Sequence, residues 1–194
     1  MKRAISPIAL LVLAGVAGAQ TFGGSIIDRP NVDFAHQITF IDTGHLAPTN
    51  GKIVQWHLFA KGTGDVTFQI WRPVNPGYQL IGANTVSIGS LGAQTIDVAE
   101  PDQISVQAGD LLGFRYNQTI YGARVIAFDF NAGDYVWTNW PDQSTDVPIG
   151  GVLQNLVGAG EHRGYSFAAT VAVPEPGTIA ALGLGALLLI RRRR

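Results

Sequence analysis

The chain reads as an all-β protein, an antiparallel sandwich of two sheets, on three observations. Residues Asp65 to Trp71 alternate, with Val66, Phe68 and Ile70 set to face one way and Thr67, Gln69 and Trp71 the other, which is the period of a strand. Runs of the same kind recur at His36 to Ile41, Ile53 to Ala60, Tyr78 to Ser87, Gln94 to Val98, Leu111 to Tyr116, Arg124 to Phe130, Tyr135 to Asn139 and Tyr165 to Val171. Turn formers separate them: Thr49-Asn50-Gly51, Gly62-Thr63-Gly64, Asn75-Pro76-Gly77, Ala108-Gly109-Asp110 and Ala132-Gly133-Asp134. No stretch of the middle has a helical period. About eight to ten short strands at this spacing predict a sandwich, most simply of jelly-roll type.

The two ends depart from this texture. Met1-Lys2-Arg3 supplies a positive start, the apolar run Ile8 to Ala19 follows, and Ala17-Gly18-Ala19 fits the small-x-small rule. Residues 1–19 therefore read as a secretory signal peptide cleaved before Gln20. The run is too short for an uncleaved anchor, which needs about 20 apolar residues. With no cysteine in the chain, export brings no disulfide and stability rests on packing.

The body, residues 20–172, is acidic in a way the whole chain hides. The chain has thirteen Lys and Arg against fourteen Asp and Glu. Six of the basic residues (Lys2, Arg3, Arg191, Arg192, Arg193 and Arg194) lie in the two ends, with only Glu175 opposing them. That leaves seven basic and thirteen acidic residues in the body, a net of minus six. Such a surface repels phosphate backbones and anionic lipid, so nucleic acid is excluded as a partner.

One block of the body, VTFQIWRPVNPGYQLIGANTVSI followed by DQISVQAGDLLGFRY, resembles a layout in jelly-roll modules of secreted proteins. It has a strand ending in Trp71-Arg72-Pro73, a strand around Tyr78 to Gly82, and a hairpin over Val106 to Phe114. Its parts have structural explanations: Gly109-Asp110 makes a tight turn, Gly113 permits close approach, and Val106, Leu111 and Phe114 fill the core.

No familiar active site assembles in the body. His36, His45, His57 and His162 show no close metal-ligand pairing, and His57 falls in an alternating strand, where a structural role is expected. There is no GxSxG elbow, phosphate-cradling loop or dinucleotide fingerprint. The most site-like stretch is AFDFNAGDYVWTNWPDQSTD. Asp129, Asn131 and Asp134 form an oxygen-rich loop of the kind calcium takes, and Tyr135, Trp137 and Trp140 offer faces on which sugar rings stack. The competing reading gives the aspartates to turn backbone and alternate residues of Tyr135 to Asn139 to the core.

Residues 173–194 close the chain with Pro174-Glu175-Pro176, an uncharged stretch Gly177 to Ile190, and the cluster Arg191 to Arg194. As a helix, 177–190 reaches roughly 21 Å against a hydrocarbon core of about 30 Å. Arginine side chains that snorkel shorten the mismatch, and their position holds the C-terminus in the cytoplasm. The prolines stop the helix running back into the body and leave Glu175 in extended, reachable chain.

This tail resembles the PEP-CTERM sorting signal of exported bacterial proteins. The resemblance implies that an exosortase in the inner membrane recognises Pro174, Glu175 and Pro176 and cuts near them. The precursor is then anchored by a transmembrane helix, 177–190, until the body is passed to the cell surface or outside. Such tails accompany unrelated bodies, commonly in makers of exopolysaccharide, so the resemblance implies a destination and no activity. The sequence leads us to expect no enzyme but a noncatalytic surface or matrix component that binds exopolysaccharide or matrix proteins. A carbohydrate-binding module, with or without calcium, is the alternative, and a glycan hydrolase ranks third.

Overall fold

The computed structural model describes residues 18–33, 37–116, 125–130, 136–138, 146–154, 156–158 and 162–173. Residues 1–17 of the expected signal peptide, the Pro-Glu-Pro, the helix expected at 177–190 and Arg191 to Arg194 lie outside the described residues. One compact unit spans Ala19–Val173. Its strands are β1 (Ala19–Gly23), β2 (Asn31–Val32), β3 (Thr39–Leu46), β4 (Gly51–Ala60), β5 (Gly64–Pro73), β6 (Tyr78–Ile88), β7 (Gly92–Asp97), β8 (Ser105–Val106) and β9 (Leu111–Arg115). After these come β10 (Ala127–Phe130), β11 (Val136–Thr138), β12 (Val152–Leu153), β13 (Val157–Gly158), β14 (Arg163–Tyr165) and β15 (Phe167–Ala172), and a single 3₁₀ turn stands at Glu100–Asp102.

The described residues are all-β, and their ladders are antiparallel. One sheet runs β1-β15-β4-β7, with β8 also on β4; a second runs β12-β6-β5-β9-β3-β11-β13; a small third runs β14-β10-β2. Within the two large sheets the long strands pair in a nested order. β5 pairs β6, β4 pairs β7, β3 pairs β9, and β1 pairs β15.

Alternation puts the core between the large sheets. Val66, Phe68 and Ile70 of β5 point into it, facing Ile53, Trp56 and Leu58 of β4 and Phe167, Ala169 and Val171 of β15. Rings carry the contact across the sheets: Trp56, Phe68 and Phe167 stack with centroids 5.1, 5.3 and 5.9 Å apart. Phe114 meets Phe167 edge-on at 5.7 Å and stacks on Phe40 at 4.8 Å. Aromatic pairs at such separations add about 0.5–1.5 kcal/mol each beyond the area they bury.

The other face of β5 is also covered. Thr67, Gln69 and Trp71 are all buried, and Trp71 joins Ile41, Leu80, Leu111, Val147 and Leu153 in a second, smaller core. Alternation alone would assign that face to water. The chain between β9 and β15 supplies the cover through Val147 and Leu153, and β12 ends on the β6 edge.

Turn chemistry behaves as the residues require. Gly77, Gly64 and Gly109 take positive φ, and the Asn75-Pro76 bond is cis. A Cβ on Gly113 would lie 2.6 Å from Trp71 Nε1 and 2.7 Å from the Phe40 carbonyl, so no other residue fits. The hairpin expected over Val106 to Phe114 is corrected: β8 pairs with β4 in one sheet, whereas β9 pairs with β3 and β5 in the other. The Ala108-Gly109 turn therefore carries the chain from one layer to the next. Asp110 holds it there, its carboxylate accepting from Arg72 Nε and Nη2 at 2.8 Å each and from the Gln107 amide at 2.7 Å. Arg72 of the Trp-Arg-Pro segment and Asp110 of the Ala-Gly-Asp segment are thus two halves of one contact.

Candidate functional site

The stretch singled out for calcium and sugar is only partly described. Asp129 sits on β10, half-buried, opposite Gly164 of β14. Trp137 sits on β11, opposite Ile41 of β3 and Gly158 of β13, so its backbone extends the seven-stranded sheet. Asn131, Asp134, Tyr135 and Trp140 lie outside the described residues, as does the side chain of Trp137. Among the described residues no group of three or more His, Asp or Glu is placed to hold a metal ion. Of the histidines, His36 lies outside the described residues. His45 Nδ1 lies 2.9 Å from Asp42 Oδ2, in the irregular part of β3 where Asp42 Oδ1 also accepts from the Gly44 amide. His57 lies between Thr95 at 3.0 Å and Thr170 at 2.7 Å on the outer face of the β1-β15-β4-β7 sheet, the structural role its strand position suggests.

On the β10 face opposite Asp129 the structure assembles a cluster with no sequence signature. Asp33, just past β2, accepts hydrogen bonds from Arg163 Nη1 and from the Tyr165 hydroxyl, both on β14. The Arg163 guanidinium also lies over Phe128 at 4.9 Å and Phe130 at 5.5 Å. Burial pushes the Asp33 carboxyl above the usual carboxylate range, while Arg163 and Tyr165 pull it back. Burial likewise holds the Tyr165 hydroxyl protonated well above its ordinary range, which suits a donor to Asp33. The arrangement ties β2, β10 and β14 together. No local pattern could have found it, since Asp33 and its partners are separated by about 130 residues of chain.

A second arrangement lies where the two large sheets end side by side, at β6 and β7. Here a cleft of about 400 Å³ opens between Asn84, Thr85 and Val86 on one side and Ile96, Asp97 and Val98 on the other, with Asp102 of the 3₁₀ turn at its rim. Its floor is organised by hydrogen bonds: the buried Trp56 indole N–H donates to Asn84 Oδ1 at 2.9 Å, and Asn84 Nδ2 donates to the Asp102 carbonyl at 3.1 Å. Asp97 Oδ1 accepts from Gln55 at 2.8 Å. The Asp102 carboxylate and the Asn84 amide over half-buried valine and isoleucine make a surface for a polar, uncharged ligand. Val86, Ile96 and Asn84 fell within predicted strands, yet nothing local in them marks a shared opening.

Comparison with known proteins bears on the end of the chain. No curated protein and no solved structure matches the chain. Residues 172–194 match the family described as the PEP-CTERM protein-sorting motif. The chain carries that sorting motif at its C-terminus, which implies an exported protein, processed by an exosortase and sorted to the cell surface.

Proposed function

We propose that the body is a noncatalytic component of the cell surface or extracellular matrix, binding exopolysaccharide or matrix proteins. The observation that carries this reading is the sorting motif, which starts at residue 172, the last residue of β15. The address is thus attached directly to the final strand of a compact domain. In this reading residues 1–19 direct export, 177–190 hold the precursor in the inner membrane, the arginines fix its orientation, and cutting near Pro174 to Pro176 passes the body outward. The acidic charge of the body suits a partner that is not itself polyanionic.

We also infer that the fold is a jelly roll. What supports it is the nesting of four pairs, β5 with β6 inside β4 with β7, inside β3 with β9, inside β1 with β15. A long hairpin rolled on itself into two sheets has this order. The other strands then decorate the frame, most of them from the long connection between β9 and β15.

A carbohydrate-binding module using the Trp137 to Asp142 region is the second reading, favoured by the place of β11 between β3 and β13 on the large sheet. Retention of the processed chain, collected from cells that export it, on the host's own exopolysaccharide tests both, with calcium and again with a chelator. Saturable retention establishes a polysaccharide-binding matrix protein, and its loss on Trp140→Ala in folded protein places the contact in that stretch. No retention in either condition points to protein partners or a purely structural role. Release of new reducing ends during the incubation would replace the noncatalytic reading with hydrolysis.

A further inference from the structure

The geometry points to the cleft between β6 and β7 as the place where the body grips an uncharged sugar unit of a matrix glycan, an inference that rests on the polysaccharide-binding reading above. At about 400 Å³ the cleft is within the range of small-molecule sites, about 300–1,000 Å³. Its composition selects the ligand. Val86, Ile96 and Val98 pack partly against the main core and present the rest of their surface to the cleft, which suits the C–H face of a sugar ring. At the rim the exposed Asp102 carboxylate is an acceptor for hydroxyl donors, whereas the Asp97 carboxylate turns to the outer face of the β4-β7 ladder and accepts from Gln55. The Asp102 carboxylate has no hydrogen bond or ion pair among the described residues. Among the described residues no Lys or Arg lines the cleft, so uronate, sulfate or phosphate groups would meet uncompensated negative charge.

The site is also held ready. The Asn84 amide is fixed at both ends, by the Trp56 indole and the Asp102 carbonyl, and that second bond ties the 3₁₀ turn on one side of the opening to β6 on the other. Trp56 is fully buried in the aromatic stack, so the amide that faces the ligand is positioned from the core. Preorganised polar groups lose little entropy on binding.

The test separates the host exopolysaccharide by anion exchange into uncharged and acidic fractions and measures retention of the processed chain on each. Expected is binding to the uncharged fraction, at least tenfold weaker in Asp102→Ala and destroyed by periodate treatment of the glycan. Asp102 is exposed, so the variant keeps its core, which an unchanged thermal melt verifies. Retention by the uncharged fraction that is unaffected by this variant but lost in Trp137→Ala/Trp140→Ala overturns the cleft and leaves polysaccharide binding standing. Preference for the acidic fraction, or retention that survives periodate, overturns the assignment to an uncharged sugar. Wild-type chain that is retained on neither fraction removes the polysaccharide reading and the cleft with it.

Discussion

The nested frame and the long connection between β9 and β15 obey different rules. In the frame, β3 to β6 run eight to eleven residues each, and each main pairing of the frame is a ladder of five or more residue pairs. In the connection, β10 to β14 run two to four residues and distribute themselves among edges. β11 and β13 extend one edge of the large sheet, β12 sits on the other, and β10 and β14 build the small third sheet. Long strands with an inward face can specify their own register, because a one-residue slip would turn every core side chain outward. Two-residue strands have no such code and take their places from what the frame leaves uncovered.

Four measurements would break or sharpen that contrast. The largest effect is expected in the aromatic stack: Phe68→Ala should cost about 3–5 kcal/mol in chemical denaturation, since the ring touches both Trp56 and Phe167 across the sheets. A cost under about 1 kcal/mol would mean that the stack does not hold the layers together. Next comes the layer-crossing turn. Asp110→Ala leaves Arg72 and the Gln107 amide without their acceptor and should cost about 2–3 kcal/mol, with Arg72→Lys smaller because the two-pronged contact is lost but not the charge. In the connection, Leu153→Ala should cost about 2 kcal/mol and loosen only the cover over Trp71. Native-state hydrogen exchange would show this as faster exchange at Leu80, whose amide bonds the Gly151 carbonyl, with β5 and β15 unchanged. Exchange that rises equally in all strands would make frame and connection one cooperative unit.

The smallest effect is in pH dependence. Burial lowers the His57 pKa below its ordinary value of about 6.5, with Asp97 opposing. The unfolded chain therefore takes up this proton first, and the stability His57 contributes is complete above about pH 6.5 and lost as pH falls through its folded value. Denaturation profiles of His57→Gln should be flatter than wild type across that acid window. A steeper profile would contradict the sign.

Legibility in the sequence follows the same division. The alternation of Val66, Phe68 and Ile70 located β5 and its inward face, and Asn75-Pro76-Gly77 located the β5–β6 turn. What alternation could not supply was the second covering of β5, where Trp71 is buried with Val147 and Leu153 from far along the chain. The short strands β2, β8, β12, β13 and β14 have too few residues to show a period. The Val106 to Phe114 segment looked like a hairpin because its turn residues are those of one, and only the pairing partners of β8 and β9 reveal a crossing between sheets. The sorting tail was legible because its parts are read in linear order by a processing machinery. The cleft was not, since Trp56, Asn84 and Asp102 meet only when two sheets end side by side.

The place of β15 has a mechanical meaning. The strand that leads into the sorting tail is not at an edge; it lies between β1 and β4, with five residue pairs to one and six to the other. A pull on the tail along β15 would load both ladders in shear, so that their hydrogen bonds resist together. Had the tail left from an edge strand such as β7, the same force would peel one ladder open bond by bond. A domain loaded through its C-terminus would thus be held by the part of its sheet least able to unzip.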